Sequence, residues 1–310
     1  MNALIFPGQG VQKQGMGKYL YENFPKAKSY FEYANEILGR RITDVMFDGS
    51  EIELLETKNT QPAVFLYEVI LALTQTDIKA DVVAGHSLGE FAALVINNTL
   101  SFEDGLDLVL NRALIAQKTC EKYDTAMAAV IGISDEVIEN RLTQISAESG
   151  EPIYFANYNG PGQVVITGSK KGIKIACKTF KEEGAKRAVP LFIAGSFHSP
   201  YMKEAGEELG LLITKAKFNT PTIPIYQCVD GKAHIDPDEI KDNLIKHITH
   251  PVKWTTMVNN MVINQITSFY EVGPDDTLQK IVNRMFPDKY VSTLWGIEFY
   301  NNISKQEYTI

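Results

Sequence analysis

Cysteine is scarce in this chain of 310 residues: Cys120, Cys177 and Cys228 are odd in number and stand far apart. That excludes a disulfide framework and any zinc-type spacing, and predicts reduced thiols in a cytoplasmic protein. Long hydrophobic runs are missing too. The longest, Ala63 to Leu73, is interrupted by Glu68 and is too short to cross a bilayer. The first residues, Met1-Asn2-Ala3-Leu4-Ile5-Phe6, carry no basic leader and run into Pro7, so they predict a strand and no signal peptide. Positive charge is in deficit, with 30 Lys and Arg against 38 Asp and Glu, a formal net charge of −8. A nucleic-acid binder or a protein of anionic membrane surfaces needs the opposite balance. Tandem repeats and low-complexity linkers are absent as well. What remains is an ordinary globular composition in a chain long enough to bury a large core.

One stretch organises the rest. Gly85-His86-Ser87-Leu88-Gly89-Glu90 lies between an apolar run, Asp81 to Ala84, and an amphipathic one, Phe91 to Ile96. Strand, sharp turn and helix in that order hold a serine in a strained bend, with its hydroxyl pushed into a cleft. Glycines two before and two after let strand and helix pass closely. The N-terminal amides of the following helix point where an oxyanion would develop.

Upstream, Ala3 to Phe6 predict a buried strand running into Pro7-Gly8-Gln9-Gly10. The dinucleotide-binding fingerprint would need a third glycine at Lys13, so this loop reads instead as backbone brought close to a site, its amides free to donate. Helices are predicted over Pro25–Leu38, Pro62–Thr74 and Phe102–Glu121, the last capped by Ser101. The middle of the chain then follows β-α-β-β-α-β. Its strands are Ala126–Ile131, Pro152–Ala156, Gln163–Thr167 and Arg187–Phe192; its helices are Ser134–Glu148 and Lys170–Glu183. That is the ferredoxin-like order. Beyond it, helices from Ser199-Pro200 to Lys215, from Asp236 to His247, over Val252–Val262 and over Asp276–Phe286 alternate with strands Ile223–Cys228, Thr267–Val272 and Tyr290–Leu294. The expected fold is α/β: a hydrolase-like, mainly parallel sheet domain formed by residues 1–124 and 194–310, with a ferredoxin-like subdomain inserted at 125–193.

A serine hydroxyl needs a base, and histidine is the usual one near neutral pH. His86 adjoins Ser87 and should project elsewhere. His198 lies where the inserted subdomain returns the chain, far downstream of Ser87 as the strand-elbow order requires. The residues alone also allow His198 to satisfy backbone groups at a helix start. Arg112 is either a solvated arginine on an amphipathic helix or, facing a cleft, a planar fork for a substrate carboxylate. Lys170, Lys174, Lys178 and Lys181 follow helical spacing on one face of a basic segment that also holds Lys171, Lys186 and Arg187. They form either a solvated helix face or a docking strip for an acidic partner.

Taken together these motifs resemble the malonyl-CoA:acyl-carrier-protein transacylases of fatty-acid synthesis and the related acyltransferase domains of polyketide synthases. The resemblance runs over residues 3–295. It is carried by Phe6-Pro7-Gly8-Gln9-Gly10, the Ser87 bend, Arg112 with Gln117, Ala126-Met127-Ala128-Ala129, Asn157 to Gln163, Phe197-His198-Ser199 and Glu271-Val272-Gly273-Pro274. It implies a malonyl-serine ester on Ser87 formed with His198 as base, and transfer of malonyl to the phosphopantetheine thiol of a holo acyl carrier protein. The implied oxyanion donors are the backbone amides of Gln9 and Leu88. Arg112 would pair with the malonyl carboxylate, with Gln117 nearby, and Phe197 resembles the malonyl-selecting form of its motif. A backbone carbonyl at Lys253 would orient the histidine in place of a triad carboxylate. The resemblance implies no metal and no tightly bound cofactor, with malonyl-CoA as substrate and CoA as product. The expected partner is the acidic carrier, docking near Lys170, Lys174, Lys178 and Lys181, and the expected state is a monomer. Asp275-Asp276 depart from the glycine and lysine common in the family. The competing readings are a trans-acting polyketide synthase acyltransferase and a serine acyl hydrolase or editing thioesterase on the same elbow.

Overall fold

Ala3–Phe6 and Val82–Gly85 are apolar without alternation, as strands covered on both faces must be. In the computed structural model, which describes residues 1–75, 77–193 and 195–293, both are buried strands at the centre of a sheet. The strands are β1 (Asn2–Phe6), β2 (Val82–Gly85), β3 (Thr125–Ile131), β4 (Ile153–Gly160), β5 (Gln163–Ser169), β6 (Arg187–Pro190), β7 (Ile225–Tyr226), β8 (Ala233–His234), β9 (Ser268–Glu271) and β10 (Tyr290–Thr293). One sheet has the order β10-β9-β1-β2-β7-β8, the other β4-β5-β3-β6. In the first, β10, β9, β1 and β2 are parallel. Phe6 stands opposite Gly85 and Ile5 opposite Glu271. The loops after β1, β2 and β9 therefore leave at the same carboxyl edge, where open α/β sheets place their chemistry.

The second sheet is antiparallel throughout. Its order is the ferredoxin-like one, because the two helices it carries, Asp135–Ser149 and Lys170–Glu182, each return the chain past a neighbouring strand. Ile138, Leu142, Ile145, Ile173 and Phe180 from these helices bury against Val130, Val164 and Ile166 of the sheet. Pro161-Gly162 make the turn between β4 and β5, with Gly162 at φ 68°, a value that suits glycine.

The described residues form two compact units, one within 1–110, 219–225 and 265–293, the other within 111–218 and 226–264. Among the described residues no helix is long and apolar enough to cross a membrane.

Most predicted elements occur within a residue or two of their expected bounds, Pro25–Leu38 at the expected ends. One helix differs in an instructive way. Pro62 reads as a helix start, yet the helix runs Thr57–Gln75 with Pro62 inside it. Proline frees the carbonyl four residues back. That carbonyl belongs to Lys58, and Arg40 Nη2 donates to it at 3.0 Å. The distant arginine replaces the missing amide. The short helices Lys18–Asn23, Ile42–Asp48 and Glu51–Leu55 were not anticipated, and Leu294, the expected end of the last strand, lies outside the described residues.

Candidate active site

In the first unit the chain leaves β2 and turns at once into the helix Gly89–Ile96. Ser87 sits at this bend with φ 53°, a left-handed conformation that costs a residue other than glycine about 1–3 kcal/mol. The surroundings hold it there. His86 N–H donates to Phe6 O at 2.8 Å, and Glu90 N–H to Ser87 O at 3.0 Å. The two flanking glycines are required by space as the sequence predicts. A Cβ on Gly85 would lie 2.1 Å from the Glu90 nitrogen, and one on Gly89 2.2 Å from Phe6 O. The first loop closes on the same bend: a Cβ on Gly8 would lie 2.7 Å from His86 O and 3.5 Å from Ser87 Cβ. Gln9 follows, half-buried, with its side-chain oxygen 3.4 Å from Gln61 Nε2. Among the described residues no backbone carbonyl takes the amide of Gln9 or of Leu88. Backbone amides aimed at the oxygen of the attacked carbonyl beside a serine are the kind of donor that can stabilise a developing oxyanion.

The same unit buries two carboxyls. Glu271, at the end of β9, accepts the amides of Leu278 at 3.1 Å and Gln279 at 2.7 Å, at the start of the helix Thr277–Met285. Burial nevertheless pushes its pKa up to about 8, against the lowering effect of those two amides. Glu68 is fully buried, and neither of its oxygens has a hydrogen-bond partner among the described residues. Desolvation, reinforced by Glu271, raises it well above the carboxylate range. Asp275, one of the two family departures, bridges to Lys13 at 3.3 Å and so ties the turn after Gly273-Pro274 to the first loop.

In the second unit His198 is buried at 2 % exposure, with φ 59°. Its backbone N–H donates to Ile248 O at 2.9 Å, and its Nδ1 lies 3.1 Å from His247 O and 3.0 Å from His250 O. Both carbonyls can only accept, so Nδ1 carries the proton and Nε2 keeps its lone pair. This corrects the expectation for Lys253. The Lys253 carbonyl takes Met257 N–H at 3.0 Å as the helix Trp254–Ile263 begins, and it is not a partner of His198. The carbonyls that do reach Nδ1 belong to the 3-10 turn His247–Thr249 and the extended residue before Pro251.

Arg112 is 1 % exposed on the helix Phe102–Lys122, with its guanidinium carbon 5.5 Å from the centre of the Phe197 ring. The solvated reading of Arg112 is thereby removed. The planar guanidinium and the buried ring next to His198 lie in cation–π contact. Gln117, a little over one turn along, is half-buried and donates to Glu121 at 2.8 Å. The structure thus groups Ser87, Gln9 and Leu88 in the first unit, and Arg112, Gln117, Phe197, His198 and Lys253 in the second.

The sequence matches the acyl transferase domain over residues 3–297. The chain belongs to the acyl transferase family. The malonyl CoA-acyl carrier protein transacylase of Bacillus subtilis strain 168 is 36% identical over 310 residues, covering 98% of each chain. That of Escherichia coli K12 is 36% identical over 295 residues, 94% of this chain and 95% of its own. Among solved structures, an acyl-carrier-protein S-malonyltransferase from Burkholderia pseudomallei 1710b superposes with a TM-score of 0.91 at 31% identity, over 98% of this chain and 99% of that one. A malonyl-transacylase in complex with its type II polyketide-synthase acyl-carrier protein gives 0.89 at 31% identity, covering 94% of each.

In this acyl transferase the basic helix Lys170–Glu182 has Lys170, Lys171, Lys174, Lys178 and Lys181 exposed. Lys170 reaches Asp124 at 3.4 Å, Lys171 reaches Glu151 at 2.9 Å, and Lys178 reaches Glu182 at 3.8 Å. Lys174 and Lys181 have no carboxylate within ion-pair distance among the described residues. The reading from sequence missed Thr167 and Ser196. Both are buried polar residues, and the only signal for the first was a hydroxyl inside an otherwise apolar strand.

Proposed function

We propose that this acyl transferase moves malonyl from malonyl-CoA to the phosphopantetheine thiol of an acyl carrier protein, supplying fatty-acid synthesis. The observation that carries the reading is the full-length likeness to transacylases of that name, in a chain that places a serine at a left-handed strand–helix bend. Ser87 Oγ attacks the thioester carbonyl while His198 Nε2 takes its proton. The tetrahedral oxyanion is met by the amides of Gln9 and Leu88, where one such donor is worth about 10²–10³ in rate. The intermediate collapses to a malonyl-serine ester, and the CoA thiolate leaves with the proton from His198. In the second half the carrier thiol gives its proton to Nε2 and its sulfur attacks the ester; the tetrahedral intermediate then expels Ser87 Oγ, which takes the proton back from His198 and leaves malonyl on the carrier.

Arg112 pairs with the malonyl carboxylate, with Phe197 and Gln117 beside it. That clamp is the argument against a hydrolase of neutral acyl groups, which has little use for a buried guanidinium. The domain reading remains a large domain of 1–124 and 194–310 with 125–193 inserted. The acidic carrier docks along Lys170, Lys174, Lys178 and Lys181. The enzyme works as a cytoplasmic monomer without metal or tightly bound cofactor.

The test is intact mass spectrometry after mixing with malonyl-CoA. Wild type gains one malonyl group and Ser87→Ala gains none; an adduct persisting on Ser87→Ala removes Ser87 as nucleophile.

A further inference from the structure

His198 holds two tensions at once. Its backbone is left-handed, and its ring must meet two carbonyls with a single nitrogen. Geometry of that kind persists only where the surroundings over-determine it. Those surroundings are a chain of buried hydroxyls. Ser196 Oγ lies 2.7 Å from Thr167 Oγ1 on β5 and 3.0 Å from Ser199 Oγ. Ser199 donates to Ser196 O at 2.6 Å and accepts Tyr201 N–H at 3.3 Å. Thr167, Ser196 and Ser199 are all at most 1 % exposed.

Ser199 spends its proton on the Ser196 carbonyl, so Ser196 can give its own to Ser199 and receive that of Thr167, whose Oγ1 also lies 3.3 Å from the alternative acceptor Ala126 O. The Ser196–Ser199 turn that carries His198 is thereby tied to β5 of the antiparallel sheet. The acceptors are tied to that sheet as well: Val252 N–H donates to Ala156 O at 2.8 Å, and Tyr158 N–H to Val252 O at 2.9 Å, two residues beyond His250. Gly195, at φ 97°, fixes the near end, where a Cβ would lie 2.1 Å from Cys120 Sγ.

We infer that Thr167, Ser196 and Ser199 are positioning residues for the base of the acyl-transfer reaction. Their hydroxyl chain holds His198 in the left-handed conformation that keeps Nδ1 on the His247 and His250 carbonyls. The inference rests on His198 being that base. Placement errors near 1 Å cost roughly 10²-fold in such reactions, and a broken tether allows displacements of that order.

The experiment compares Thr167→Val, which keeps the shape and deletes the hydroxyl, with Thr167→Ser, which keeps the hydroxyl. Single-turnover formation of the malonyl-serine ester is followed across pH. Thr167→Val should lower the limiting rate roughly 10- to 100-fold while leaving the KM for malonyl-CoA unchanged. It should also shift the acid limb of the pH–rate profile, and Thr167→Ser should restore both. Ser196→Ala, scored the same way, serves if Thr167→Val does not fold. A wild-type rate and profile in either folded variant overturns the inference while leaving Ser87 and His198 in place. Wild type that forms no adduct removes the functional reading and this inference together. A rate loss with an unmoved pH profile assigns the hydroxyls to packing only and also overturns it.

Discussion

Nδ1 of His198 is 3.1 Å from the carbonyl oxygen of His247 and 3.0 Å from that of His250, so two uncharged acceptors stand where a serine hydrolase triad places a carboxylate. They select the tautomer without adding an anion. Replacing the histidine by alanine should lower acyl-serine formation by about 10²–10⁴, the usual worth of a general base. Lys253→Ala is an exposed change, which by surface-substitution experience stays within about 0.5 kcal/mol. Quench-flow measurement should therefore find its rate close to wild type. A large loss at Lys253 would restore the orienting role that the structure gives to the turn upstream.

Arg112 is buried with its guanidinium 5.5 Å from the centre of the Phe197 ring. Arg112→Ala should cut malonyl loading by roughly 10- to 150-fold, from about 1.5–3 kcal/mol for a charge-assisted hydrogen bond. Acetyl loading should fall far less. Parallel mass assays with malonyl-CoA and acetyl-CoA read the difference, and an equal loss refutes the carboxylate clamp.

Lys174 and Lys178 project from a helix whose other face is fastened into the small sheet. Reversing both charges should slow transfer to the carrier at low salt and leave loading from malonyl-CoA intact. The effect should fade toward 1 M salt, where the screening length is about 3 Å. Unchanged carrier kinetics would reduce the lysines to a solvated face.

The carboxyls of Glu68 and Glu271 predict a pH dependence of stability with a definite sign. Both are raised in the folded protein, mainly by desolvation, Glu271 to about 8. Between the ordinary carboxylate range and pH 8 the unfolded chain has released protons that the folded one keeps. Stability from this source is complete at acid pH and is lost as pH rises through the folded value. The Tm should fall between pH 5 and pH 8.5, and Glu68→Gln, neutral at every pH, should flatten that fall. An identical slope in the variant would show that Glu68 is not protonated in the fold.

The amino-acid sequence by itself determined most elements and the serine at the strand–helix bend. Apolar runs without alternation, Gly85-x-Ser87-x-Gly89 at a strand–helix junction, and β-α-β-β-α-β spacing are local signals, because each arises from sterics and periodicity within a few residues. Ser101 and Asp236 cap their helices for the same reason. Only the tertiary structure decided which carbonyls meet His198, that Arg112 is buried, that Pro62 can sit inside a helix, and that Thr167 holds Ser196. Each depends on groups far apart in sequence. Lys58 O is rescued by Arg40, and Nδ1 of His198 by residues some fifty positions downstream. Hydrogen-bond satisfaction in a buried site is a property of the assembled core, and no window along the chain contains it.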